Sequence, residues 1–276
     1  MTPTGFKRRY PQRDITCEVC LPNNPIKQAQ VIAKQDGRVY GTHILNELLA
    51  LLPGPSQCHT QISNGSDVSV GDVVLNFEAP IHSILAAERI LLNLLQRLCG
   101  IATLTQRFVQ ALNQPKIQIL DTRKTTPGLR FLEKDAVLAG GGHNHRQNLS
   151  DMILIKENHL IEMANNAQLE QLDTICQNAK AKHNNIPIEI EIETLAQLQQ
   201  WSFQNIDYIL FDNFDIPTLK QAITYCQTHQ IKAQREVSGN ISLSTIHHYQ
   251  DLDIHRISVG SLTHSAKALD LSLLIL

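Results

Sequence analysis

From Ile117 onward the chain alternates short apolar runs with helical stretches, and that alternation restricts the fold more than any other feature. The runs lie at 117–121, 152–156, 187–192, 207–212, 231–237 and 255–259. Between them, NAQLEQLDTICQNAKAK puts Leu169, Leu172, Ile175, Cys176 and Ala179 on one helical face. IPTLKQAITYCQTHQ does the same with Leu219, Ala222, Ile223 and Cys226. Six strands joined by helical crossovers predict a parallel β/α arrangement, which we read as a barrel in preference to an open sheet. Chemistry in such a fold sits where strands end and βα loops begin.

Those ends are sorted by chemistry. In chain order they carry Arg123 and Lys124, then Lys156, Glu191 and Asp212. The last two carry Ser238-Gly239-Asn240 and Gly260-Ser261. The cations suit a substrate with more than one carboxylate, since guanidinium forks pair carboxylate oxygens bidentately and lysine adds a mobile point charge. Glu191 and Asp212, on different strands, suit a hydrated Mg²⁺. Glu189, Glu191 and Glu193 share one strand face by the period of two, so either cations meet them inside a barrel or the face is an exposed edge. The two Gly/Ser loops are of the kind that offers backbone N–H groups to a phosphate, with a following helix N-terminus expected to help. Gly140-Gly141-Gly142 precedes His143, His145 and Arg146. A glycine triplet costs backbone entropy, so it predicts backbone brought close to a ligand. Of the twelve histidines, this placement singles out His145.

Upstream, 26–41 reads as strand, and 57–78 as shorter strands turned at Asn64-Gly65 and Gly71-Asp72, which together predict a small, partly antiparallel sheet. Ser83 to Leu112 is a helical pattern, apolar almost all round in its first half. It is expected to be buried on several sides, partly by another subunit. Gly100 predicts a break into two helices. Arg89 interrupts that apolar surface beside Glu88, either as half of a local ion pair or as a site cation.

A formal charge of −2 argues against nucleic-acid binding by overall attraction to phosphates. No apolar run reaches the roughly 18 residues of a membrane span. The basic stretch MTPTGFKRRYPQR has no apolar core after it, so it is not read as a secretory signal, and a cytoplasmic protein is expected. Cys17 and Cys20 form a lone C-x-x-C without a second pair, which reads as reduced thiols in preference to zinc ligands.

At these residues the sequence resembles the quinolinate phosphoribosyltransferases. The matching blocks are ERILLNLLQRLCGIAT, DTRKTTPGLR, KDAVLAGGGHNHR, ILIKENH, IEIEIETL, ILFDN, EVSGNI and ISVGSLTHSAKALD, with weaker RDIT and GDVV elements upstream. The resemblance implies an α/β fold of the type II phosphoribosyltransferases. An N-terminal α/β sandwich over 1–112 would precede an incomplete six-stranded α/β barrel over 113–264, with 265–276 packing back on the first domain. It implies transfer of phosphoribosyl from 5-phosphoribosyl-1-pyrophosphate to quinolinate, with loss of CO₂, in a homodimer that uses Mg²⁺ and no organic cofactor. By motif, Arg123, Lys124, His145, Arg146 and Lys156 would hold quinolinate, and Arg89 would reach in from the neighbouring subunit. Glu191 and Asp212 would face the ribose and metal. Ser238, Gly239, Asn240, Gly260 and Ser261 would cradle the 5-phosphate. Two departures stand out: Asn240 replaces a glycine common in the family, and the helix preceding RDIT looks shortened. The rival readings are a paralogue associated with molybdenum transport and a barrel that binds an anionic metabolite without turnover.

Overall fold

A computed structural model describes residues 14–276; the segment before Asp14, with the expectation of a shortened helix and Arg13 of RDIT, lies outside the described residues. The described chain forms two compact units. One comprises residues 14–106, 125–141 and 262–276, the other 107–124 and 142–261.

In the first unit, α1 (Ile15–Cys20) is capped by Asp14, whose carboxylate accepts from the Cys17 N–H at 3.0 Å. Strands β1 (Ile26–Ala33), β3 (Gln57–Gln61), β5 (Val73–Pro80) and β12 (Leu271–Ile275) make an antiparallel sheet in the order β12-β1-β5-β3. The unit also holds a two-residue antiparallel pair, β2 (Gly37–Arg38) with β4 (Asp67–Val68), and helix α2 (Ile44–Leu49). Alternation buries Ala29, Val31 and Ala33 of β1.

The break predicted at Gly100 does not occur: α3 runs unbroken over Ile81–Leu112. A Cβ at Gly100 would lie 2.1 Å from the Lys267 carbonyl oxygen, so the glycine admits a neighbouring backbone to the helix surface. Ile84, Leu91, Leu95 and Leu98 of α3 are fully buried. Alanine for glycine inside a helix ordinarily stabilises by about 1 kcal/mol. Here the clash reverses the sign, and we expect Gly100→Ala to destabilise by about 1–3 kcal/mol, read from the urea unfolding midpoint.

The second unit holds β6 (Gln118–Leu120), β7 (Ile153–Ile155), β8 (Ile188–Ile192), β9 (Tyr208–Asp212), β10 (Gln234–Ser238) and β11 (Arg256–Ser258). They form one parallel sheet in the order β6-β11-β10-β9-β8-β7. All six predicted runs are strands, each starting a residue or more later than predicted, and the fifth ends one residue beyond its run, at Ser238. Helices α5 (Glu157–Asn165), α6 (Leu172–Lys182), α7 (Leu195–Gln200) and α8 (Ile216–Thr228) cross between them, while α4 (Arg130–Ala139) belongs to the first unit. In α8, Asp215 caps the N-terminus and Pro217 occupies the first turn, where its missing N–H costs nothing.

The sheet is curled. His143 extends the outer edge of β6 by a parallel bridge to Leu120. In a flat sheet that edge would lie about five strand spacings, roughly 24 Å, from β8. Yet His145, two residues on, has Nε2 2.9 Å from Glu189 of β8. Only a sheet bent round into an incomplete barrel brings them together. No helix among the described residues is long and apolar enough to cross a membrane.

Candidate active site

The strand ends of the barrel deliver the predicted groups to one region. At the end of β7, Lys156 is the N-cap of α5, its N–H bonded to His159 Nδ1 at 3.0 Å, and its ammonium bonds Glu191 at the end of β8. Burial pushes the Glu191 carboxyl up; Lys156 pulls it down, and nearby Glu157 and Asp212 raise it again. Asp212, at the end of β9, accepts from the Ser238 hydroxyl and, at 2.7 Å, from the Asn213 side chain. Arg146 is half-buried. Burial first, then the Arg123 guanidinium, hold it below the usual arginine range. A guanidinium that lowers another in this way is its neighbour. Glu189 feels the charges of both Arg146 and Lys156. Arg123, Arg146, Lys156, Glu191 and Asp212 therefore share one end of the barrel, and Lys124 stands exposed next to Arg123.

Arg89 lies on α3 of the first unit, with its side chain 76% exposed and 3.2 Å from Glu88.

The Gly/Ser loops interlock. Gly239 and Asn240 both adopt positive φ, +95° and +50°. A Cβ at Gly239 would meet the Asn213 side-chain oxygen at 2.2 Å, so that position admits only glycine. Asparagine tolerates the left-handed backbone at 240, and its amide donates to the same Asn213 oxygen at 3.2 Å. Of the helix N-termini expected after the two loops, the structure has the one after Gly260, as a short helix, and not the one after 238–240. Residues 238–240 lead to a 3₁₀ turn at Ile246–Tyr249, and α9 (Ser261–His264), after Gly260, has four residues, too few for a useful dipole. Any phosphate affinity must come from backbone N–H groups of the loops themselves.

The glycine triplet also has a partly structural cause. A Cβ at Gly140 would meet the Ala102 carbonyl oxygen of α3 at 2.5 Å, whereas Gly141 turns at φ +87° in open space. The first glycine answers to helix packing, not to a ligand.

Beneath the cations lies a polar barrel interior that the strand-end reading missed. All five residues of β8 are buried, including Glu189, fully, and Glu191. Glu236 of β10 is also fully buried, with Arg256 Nε of β11 2.9 Å from one oxygen and His145 Nε2 3.5 Å from the other. Burial, then the charge of Glu189, pushes Glu236 up to about 7. Carboxyls this close in a dry interior ionise one at a time. Thus cations do meet the acidic face of β8, as a barrel interior requires, and Glu193 alone of the three is exposed. His145, Glu189 and Glu236 have ligand atoms within 4.8 Å of one another, the spacing of a metal site. The Arg256 guanidinium already supplies the cation there and would repel a second one. A cavity of about 900 Å³ lined by Trp201, Tyr208, Tyr225 and Lys232 opens where β9 and β10 begin, at the end opposite these groups.

Residues 14–99 match the family model described as quinolinate phosphoribosyl transferase, N-terminal domain, and 101–274 match its C-terminal domain. The probable nicotinate-nucleotide pyrophosphorylase (carboxylating) of Bacillus subtilis is 38% identical over 247 residues, covering 89% of this chain and 82% of that protein. The quinolinate phosphoribosyltransferase (decarboxylating) 1b of Nicotiana tabacum is 34% identical over 274 residues, covering 95% and 77%. The crystal structure of NadC from Streptococcus pyogenes superposes with a TM-score of 0.85 at 34% identity, covering 99% of this chain and 98% of that one.

Proposed function

Since the chain belongs to the quinolinate phosphoribosyltransferase family, we propose that it moves the phosphoribosyl group of 5-phosphoribosyl-1-pyrophosphate to the nitrogen of quinolinate with loss of CO₂. The products are nicotinate mononucleotide, pyrophosphate and CO₂, and the reaction serves NAD biosynthesis. The observation that carries this reading is the meeting of Arg123, Arg146 and Lys156 with Glu191 and Asp212 at one barrel end.

In this reading Arg123, Lys124, Arg146 and Lys156 grip the two carboxylates of quinolinate, whereas the ring of His145, expected to join them, is turned to Glu189 in the barrel interior. Acids beside the ribose steady the oxocarbenium-like charge that develops as pyrophosphate leaves. Attack by the pyridine nitrogen on the ribose carbon, as its bond to pyrophosphate breaks, makes that nitrogen cationic; its charge then stabilises the electron pair left on the adjacent ring carbon when CO₂ departs, and that carbon takes up a proton. The protein chiefly orients the partners and excludes misplaced charge. Mg²⁺ fits the acidic side, because Glu191 and Asp212 stand at neighbouring strand ends, where burial first and then nearby Glu157 and Asp212 push the Glu191 carboxyl up. Bound there, it would neutralise phosphate charge. The N–H groups of Ser238, Gly239, Asn240, Gly260 and Ser261 would take the 5-phosphate. Purified protein given quinolinate, the phosphoribosyl donor and Mg²⁺ should yield nicotinate mononucleotide and CO₂ in equal amounts. Quinolinate binding without turnover would overturn the reaction.

We also propose a homodimer with shared sites. Leu85, Ala86 and Ile90 of α3 are only half-covered and flank exposed Arg89 and Asn93, an apolar stripe with a cation that suits a second copy. Arg89→Ala and Lys156→Ala chains, each inactive alone, should regain about a quarter of wild-type activity when mixed one to one. Half the dimers are then hybrids, and half the sites in each hybrid are intact. No recovery in hybrids verified by mass spectrometry would refute sharing.

A further inference from the structure

His145 does not present a free ring nitrogen. Its Nδ1 accepts the backbone N–H of Arg146 at 2.8 Å, so the ring proton of the neutral imidazole sits on Nε2. That nitrogen lies 2.9 Å from Glu189 and 3.5 Å from Glu236. The ring is almost wholly buried. Its own backbone N–H is held by Asp121 at 2.9 Å, and Asp121 in turn bonds the His143 carbonyl at 3.1 Å from the end of β6. One Arg146 nitrogen donates to the Met152 carbonyl at 3.2 Å. The segment 143–146 is thus fixed at the barrel edge, from the barrel interior and near the entry of β7.

We propose that Glu189 and Glu236 are positioning residues for the quinolinate site, acting through His145 on Arg146. This rests on the function proposed above. The interior carboxyls hold the imidazole in one tautomer and one orientation, and the imidazole holds the backbone from which the Arg146 guanidinium projects. Arg256 keeps the arrangement close to electrically neutral by pairing with Glu236. The same logic governs the outer partners of metal-binding histidines, where a carboxylate fixes tautomer and ring angle and its loss costs about 10–100-fold. A plain barrel core would be filled by branched apolar side chains, as leucine and isoleucine fill other positions of these strands. Two glutamates and an arginine buried in their place need partners: Arg256 pairs with Glu236, and the partner both glutamates share at the active end is His145. Glu189 stands on the face of β8 opposite Ile188, Ile190 and Ile192, which brings its carboxylate to 2.9 Å from the ring.

The test uses the full-length protein. In ¹⁵N-labelled wild type, the imidazole signal lost in His145→Gln should show Nε2 protonated and Nδ1 bare. A ring protonated at Nδ1, or averaging between tautomers, would sink the proposal. Glu189→Ala should weaken quinolinate binding about tenfold by calorimetry, leaving donor affinity and kcat within about twofold. Glu189→Gln, which keeps an acceptor oxygen, should recover most of that loss. Quinolinate affinity unchanged in Glu189→Ala, or both substrate affinities falling together, counts against positioning. If Glu189→Ala does not fold, the wild-type ring signal and Glu189→Gln decide. Absence of turnover in wild type, with that signal and the selective binding loss intact, would remove the proposed reaction and leave the positioning role standing.

Discussion

Replacing Arg146 by alanine raises the quinolinate KM about 100-fold and leaves the donor KM within about threefold. Each hydrogen bond to a charged group is worth about 1.5–3 kcal/mol, and a guanidinium fork on a carboxylate makes two that share one geometry. The upper end of that range is about two powers of ten. Relief of the repulsion between Arg123 and Arg146 returns part of the loss, which keeps the figure from growing further. Arg146→Lys should recover little, because a point charge does not reproduce the fork. Steady-state kinetics with each substrate varied in turn gives the answer. An unchanged quinolinate KM in Arg146→Ala would contradict the assignment.

The second large effect concerns stability. Arg97→Ala should lower the unfolding free energy by about 3–5 kcal/mol, because it strands a buried charge. Glu133 is fully buried, and Arg97 Nε lies 3.0 Å from its carboxylate. The same guanidinium donates to the carbonyls of Ala266, at 3.0 Å, and Thr263. Thr126 holds Glu133 as well, through its N–H at 3.0 Å and its hydroxyl at 2.7 Å, which an alanine at 97 leaves in place. Urea unfolding followed by circular dichroism reads the difference. The double variant Arg97→Ala/Glu133→Gln should be more stable than Arg97→Ala alone, since it removes the abandoned charge. Equal stability of the two would show that packing, not charge, explains the loss.

The barrel strands were legible because each is a short apolar run ending in polar residues, a local pattern that needs no knowledge of its neighbours. The strand-end cations and acids were legible for the same reason. Gly100 was misread because its cause lies 167 positions away, at Lys267, and within its own window a glycine looks only like a breaker. The interior set was harder still. The alternation of Glu189 and Glu191 signals that acids share a face, but nothing near β8 names Glu236 or Arg256 as their company. Strand order brings those residues together, and strand order is a property of the assembled sheet.

The order of synthesis collides with the order of strands in the first sheet. A ribosome releases β1 before any residue of the barrel has been made, and its neighbour β12 after all of them. One flank of β1 therefore waits, with its backbone groups unsatisfied, for the whole time the barrel is being translated. Nascent chains stalled anywhere in that interval should offer this edge to chaperones or to one another.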